Sequence, residues 1–97
     1  MNALTLGEAP LPEGYKAVRG LFDHMHVKDA RNDSGKWTWL PVGQGVADYP
    51  AVFKALGQDK YEGTISLETH YRRADGNRLE STRESLEGLL TILRDVP

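Results

Sequence analysis

The 97-residue chain has no cysteine, which excludes a disulfide framework and a thiolate metal site. It has no apolar run long enough to span a bilayer, and its first residues lack the basic-then-apolar order of an export signal. Charge of one sign is also missing. Twelve basic and 14 acidic residues leave a net charge of −2, so nothing electrostatic calls for a nucleic acid or an acidic membrane as partner. Low-complexity stretches and linkers are absent. These absences leave a cytoplasmic location as the expectation. What is present is a globular composition, 39% hydrophobic and 27% charged, in a length that allows one small domain.

Apolar periodicity switches between 2 and 3.6 along the chain. "GLFDHMHVKD" reads as a strand over Phe22–Lys28, with Leu21, Met25 and Val27 on one face and Phe22, His24, His26 and Lys28 on the other. "GTISLETH" repeats the design, with Ile65 and Leu67 opposed to Thr64, Ser66, Glu68 and His70. Between them "ADYPAVFKALG" reads as a helix, capped by Asp48, with Pro50 in its first turn, a Val52, Phe53 and Leu56 stripe, and Gly57 at its end. A last helix over Thr82–Leu93 is marked by a Ser81/Glu84 capping box and by Leu86, Leu89, Leu90 and Leu93. "EGYKAVRG" suits a short helix, and the first eleven residues read as a loop.

Strands separated by a helix favour parallel pairing through a right-handed crossover. The second face of such a pair is polar toward the strand ends, where Lys28, Glu68 and His70 fall. That pattern belongs at a barrel mouth, and a complete (β/α)8 barrel takes about 250 residues. The expected fold is therefore α/β: the last two strand–helix units of a partial TIM barrel, with residues 1–97 as one partial domain.

"HMHVKDA", "PVGQGVADYPAVFKAL" and "YEGTISLETH" together resemble the end of the sugar phosphate isomerase/epimerase family, which has xylose isomerase-like barrels. The likeness runs from about Gly14 to Leu93 and rests on order and spacing rather than on any one piece. It implies a divalent metal (Mn, Mg, Co or Zn) at the barrel mouth and a small sugar substrate. The resemblance assigns the metal-binding histidine to His26 and the strand-ending glutamate to Glu68, as ligand and as one of two proton-exchanging bases. Independently of the resemblance, both residues stand near strand C-termini on the polar faces. Adjacent strands lie about 4.8 Å apart, which should bring the two side chains within about 8 Å.

Weaker candidates surround this pair. Lys28, His70 and Arg31 are substrate-binding candidates; His24 and Asp29 are candidates for orienting the residues that bind. "VGQGVAD" reads as a tight turn before a helix, with an anion-binding loop as the sharper alternative. Trp37 and Trp39 are placed in a loop that covers the pocket or meets a neighbouring chain, and "YRRADGNR" in a solvated loop.

Two departures from the family pattern matter. Asn32 stands where several epimerases of the family carry a substrate arginine, six residues after the metal histidine. Asn2 resembles the asparagine of an Asp-x-x-Asn pattern whose aspartate would precede Met1. The expectation is a fragment holding one wall of a metal site: inactive alone, with metal binding weak or absent. A second reading is a partial barrel that assembles with itself or with an N-terminal barrel part. A distant third is an apurinic endonuclease-like zinc hydrolase, against which stand the acidic charge and the lack of a histidine two residues after Asp33.

Overall fold

A computed structural model describes residues 1–96. After a one-turn helix, α1 (Asn2–Thr5), a wide helical turn (Pro10–Gly14) runs into α2 (Tyr15–Val18). There follow β1 (His24–Val27), β2 (Asp29–Asp33), β3 (Lys36–Leu40), α3 (Tyr49–Gln58), β4 (Thr64–Leu67) and α4 (Arg78–Asp95). β1 and β4 pair in parallel, in the register His24–Thr64, Met25–Ile65, His26–Ser66 and Val27–Leu67. The pleat then turns Met25, Val27, Ile65 and Leu67 to one side. There Val27 joins Tyr49, Phe53 and Leu56 of α3, Leu89 of α4 and Val42 in the buried apolar cluster. The expected parallel, adjacent strands and the two flanking helices are thus present. No helix among the described residues is long and apolar enough to cross a membrane.

α3 starts as its sequence predicts, with the Asp48 carboxylate accepting from Ala51 N at 3.1 Å and Pro50 in the first turn. It runs past Gly57 to Gln58. α4 starts a turn earlier than expected, because Asn77 caps it by accepting from Glu80 N at 3.0 Å. The Ser81/Glu84 capping box is accordingly not formed. Ser81 is buried inside the helix, where its hydroxyl donates to Asn77 O and accepts from Arg73 N.

Other expectations are corrected by the packing. Residues 29–40, read as a loop, form the antiparallel hairpin β2–β3, whose turn carries positive φ at Ser34 (53°) and Gly35 (92°). Leu21 is 80% exposed, whereas Phe22 packs between Tyr15 and Tyr61, because both precede the pleated strand. α1 forms within the eleven residues read as a loop. Of the α4 leucine stripe only Leu89 is buried, and Leu86, Leu90 and Leu93 remain about two-fifths exposed, at 43%, 40% and 38%.

Where α4 crosses the loop after β3, Gly88 allows the close approach: a Cβ there would overlap the Val42 carbonyl oxygen. At a solvent-facing helix interior, Gly→Ala stabilises by about 1 kcal/mol. Here the sign reverses. Gly88→Ala should destabilise by about 1–3 kcal/mol as an overpacking change. A urea unfolding midpoint that rises in this variant would remove the close approach from the account.

Candidate active site at the strand ends

The polar face of the β1–β4 pair carries all three histidines of the chain. His24 and His26 point to the same side of β1, edge to face with ring centroids 5.0 Å apart. His24 Nε2 contacts the Ser66 hydroxyl at 2.7 Å, one pleat below His26. β4 continues its pairing as Glu68 N donates to Val27 O at 2.9 Å, and this carries Glu68 beside His26. His26 Nδ1 and Glu68 Oε2 are 3.2 Å apart, well inside the spacing expected from the strand separation. An ionised carboxylate only accepts, so Nδ1 carries the proton in this contact and Nε2 of the neutral ring keeps its lone pair.

Lys28 closes the cluster. Its side chain is only 12% exposed, and its Nζ donates to Glu68 Oε2 at 2.9 Å. That bond, aided by the His26 contact, holds the Glu68 carboxyl below its ordinary pKa. His70 Nε2 stands 3.7 Å from Glu68 Oε1 and 3.5 Å from Lys28 Nζ. The His70 ring leans on Trp39, with centroids 4.7 Å apart, and Lys28 Nζ lies 5.7 Å from the Trp39 ring. Trp39 therefore forms a side wall of the cluster, delivered by the hairpin. The "DSGK" turn between two runs of alternating residues was the sequence signal for that hairpin.

Two residues hold Lys28 and the adjoining loop in place. The Tyr49 hydroxyl donates to Lys28 O at 2.5 Å and accepts from Lys28 N at 2.9 Å. Burial pushes the Tyr49 hydroxyl up to about 12, so it stays protonated at neutral pH. Nothing in the sequence alone singled out Tyr49. Asp29, 1% exposed, spends its carboxylate on backbone N–H groups: Ala30 and Ala47 on Oδ1, Gly43 and Gly45 on Oδ2, at 2.9–3.2 Å. Asp29, a candidate for orienting the binding residues, thus orients the loop into α3. Because Gly43 and Gly45 give their N–H groups to Asp29, "VGQGVAD" is a clasped turn in the described structure.

Arg31 is not brought to the cluster. It opposes Thr38 in the hairpin, on the face away from Trp39, and its Nε donates to Asp33 at 2.8 Å. Asn32 accepts from Gly35 N at 2.7 Å and stabilises the hairpin turn.

The donor set meets only part of what a divalent ion needs. Two ligands bound at about 2.1 Å lie on the order of 3 Å from each other, and the 3.2 Å between His26 Nδ1 and Glu68 Oε2 would serve a shared ion only once the proton between them has left. The set is nevertheless too small, and Lys28 already neutralises the shared oxygen. Among the described residues, no three His, Asp or Glu side chains form a group that could hold a metal ion. These residues fit part of a metal centre and do not make one by themselves.

A family model described as xylose isomerase-like TIM barrel matches residues 3–92. Neither a curated protein nor a solved structure matches the chain.

Two outcomes follow from this geometry. Lys28→Met should raise the Glu68 titration midpoint toward the ordinary glutamate value, read by carboxyl carbon NMR. A depressed folded-state pKa contributes stability above the unfolded-state value, and this is lost as pH falls through the folded value. The variant should therefore lose part of that acid-side dependence; an unmoved midpoint would mean that Lys28 is not the cause. Asp29→Asn keeps one acceptor oxygen and turns the other into an NH2 donor, so it strands two of the four backbone N–H groups and should lower stability by about 2–4 kcal/mol in denaturant unfolding.

Proposed function

The chain belongs to the xylose isomerase-like TIM barrel family, and from that premise we propose that it is the C-terminal part of a metal-dependent sugar or sugar phosphate isomerase or epimerase. The observation that carries this reading is the 3.2 Å approach of His26 and Glu68 at the C-terminal ends of adjacent parallel strands, with Lys28 on the same carboxylate. Functional groups of (β/α)8 barrels gather at that end.

The reaction is proton transfer at a sugar carbon beside a carbonyl. Glu68 takes or returns the proton, and His26 orients its carboxylate through Nδ1–H. While Lys28 sits on Oε2, Glu68 is ionised but a weak base. A substrate oxygen that draws Nζ away restores basicity at the moment the carbon is in place. A divalent ion, when bound by His26, Glu68 and further ligands, supplies polarisation of the carbonyl and hydroxyl oxygens. Trp39 and His70 wall the substrate space.

Assembly with further polypeptide, either an N-terminal barrel part or a second copy, is favoured by the surfaces left open. Among the described residues, β1 and β4 have only each other as sheet partners. Leu79, Leu86, Leu90 and Leu93 are exposed on α4, Leu79 to 77%. An apolar cleft of about 620 Å³ opens beside β1, between Phe22, Met25, Val52 and Leu56. Unpaired strand edges and apolar patches of this kind drive association.

The test is Mn²⁺ titration of the chain, followed by paramagnetic broadening of amide signals around His26 and Glu68. Weak binding is expected, with an affinity on the order of millimolar or poorer, removed by His26→Ala and by Glu68→Gln. With a polypeptide that supplies the remaining strands and carboxylate ligands, turnover should appear, and Glu68→Gln should abolish it. Broadening that is centred elsewhere, or that survives both substitutions, would overturn the site. Micromolar binding by the chain alone would overturn its incompleteness.

A further inference from the structure

A second pocket adjoins the cluster through His70. It encloses about 170 Å³ between Thr69, His70, Tyr71, Arg72, Arg78 and Thr82, at the loop from β4 into α4. No acidic residue lines it. Its two arginines, Arg72 and Arg78, both exposed, stand out against the charge pairing elsewhere. Arg19, Arg31, Arg73 and Arg83 each have a carboxylate partner: Asp59, Asp33, Asp75 with Glu84, and Glu80 with Glu87. Among the described residues, only Arg72, Arg78 and Arg94 have no such ion pair, and two of these three share this pocket. The neighbouring Arg73 binds Asp75 and Glu84, so the nearby acids are already neutralised while Arg72 and Arg78 keep their charge.

We propose that this pocket is an anion subsite that takes the phosphate of a phosphorylated substrate. Guanidinium groups match a phosphate through paired N–H donors, and the Thr82 hydroxyl adds a neutral donor. His70 forms a wall of the pocket and also approaches Glu68 Oε1 at 3.7 Å, so one side chain separates the anion subsite from the proton-transferring carboxylate. A sugar whose carbonyl end lies at Glu68 and whose far end carries a phosphate spans that separation. The choice of a sugar phosphate over a free sugar rests on the sugar-site reading of His26 and Glu68; binding of the anion does not.

The experiment titrates the 97-residue chain with inorganic phosphate and, separately, with acetate, each against chloride at matched ionic strength, while recording amide NMR spectra. The expected result is saturable shifts at Tyr71, Arg72, Arg78 and Thr82 with phosphate. Affinity should fall at least tenfold in the Arg72→Gln/Arg78→Gln double variant, whose spectrum otherwise overlays the parent. No saturable response, an unchanged response in the double variant, or acetate binding as tightly as phosphate overturns the proposal. Glu68→Gln should keep the phosphate response even as it removes Mn²⁺ broadening, so failure of the metal reading and failure of the anion subsite give different results.

Discussion

The parallel register that sets Val27 against Leu67 governs everything at the polar face. In a strand pair a slip of one residue turns every side chain of one strand to the other side. Here Met25, Val27, Ile65 and Leu67 face α3 and α4, and a slip would cost the burial of one strand's apolar pair. Burial of the apolar face therefore selects the alignment that lifts His26 and Glu68 to the same height on the opposite face. The bond from Glu68 N to Val27 O extends that alignment one residue beyond the strand.

The core reaches the cluster by a second route, through Tyr49. Its ring is buried against Phe53 at 5.5 Å, and its hydroxyl brackets the Lys28 peptide from both sides. Lys28 then projects its amine to Glu68 across the Trp39 wall. Asp29, the next residue, fixes the loop into α3 with four backbone N–H groups. Hydrogen bonds to a buried carboxylate contribute more than neutral ones, and the penalty for leaving such donors unpaired is larger still. One dipeptide, Lys28–Asp29, thus joins the site to the framework on both sides.

The electrostatics of the cluster set a competition. Glu68 has two oxygens; Lys28 and His26 meet at one of them, and His70 approaches the other. A bound cation on Oε2 and the Lys28 amine would occupy the same place, so filling the site means moving the amine to another acceptor. The oxygens of a substrate are such acceptors. Under the proposed function, that competition would link ion binding, substrate binding and the basicity of Glu68 without any change in the backbone.

Local pattern in the sequence determined the strand around His26, the strand ending near Glu68, the Asp48–Pro50 start of α3 and the existence of α4. Each follows from side-chain periodicity or from a cap acting within a few residues. Family membership was also legible, because the order of "HMHVKDA", "PVGQGVADYPAVFKAL" and "YEGTISLETH" survives without any single strong motif. The site was legible as residue types on the polar face. Tertiary structure alone decided the rest. The hairpin had a local signal in "DSGK", weakened because its turn needs positive φ at the non-glycine Ser34; that it sets Trp39 against His70 and Lys28 was left to the packing. The earlier cap at Asn77 won over Ser81 because both residues carry cap chemistry, and only packing, which buries Ser81, chooses between them. The pairing of Arg73 with Asp75 and Glu84, which leaves Arg72 and Arg78 with their charge, depends on contacts across the start of α4, and no sequence spacing announces such contacts.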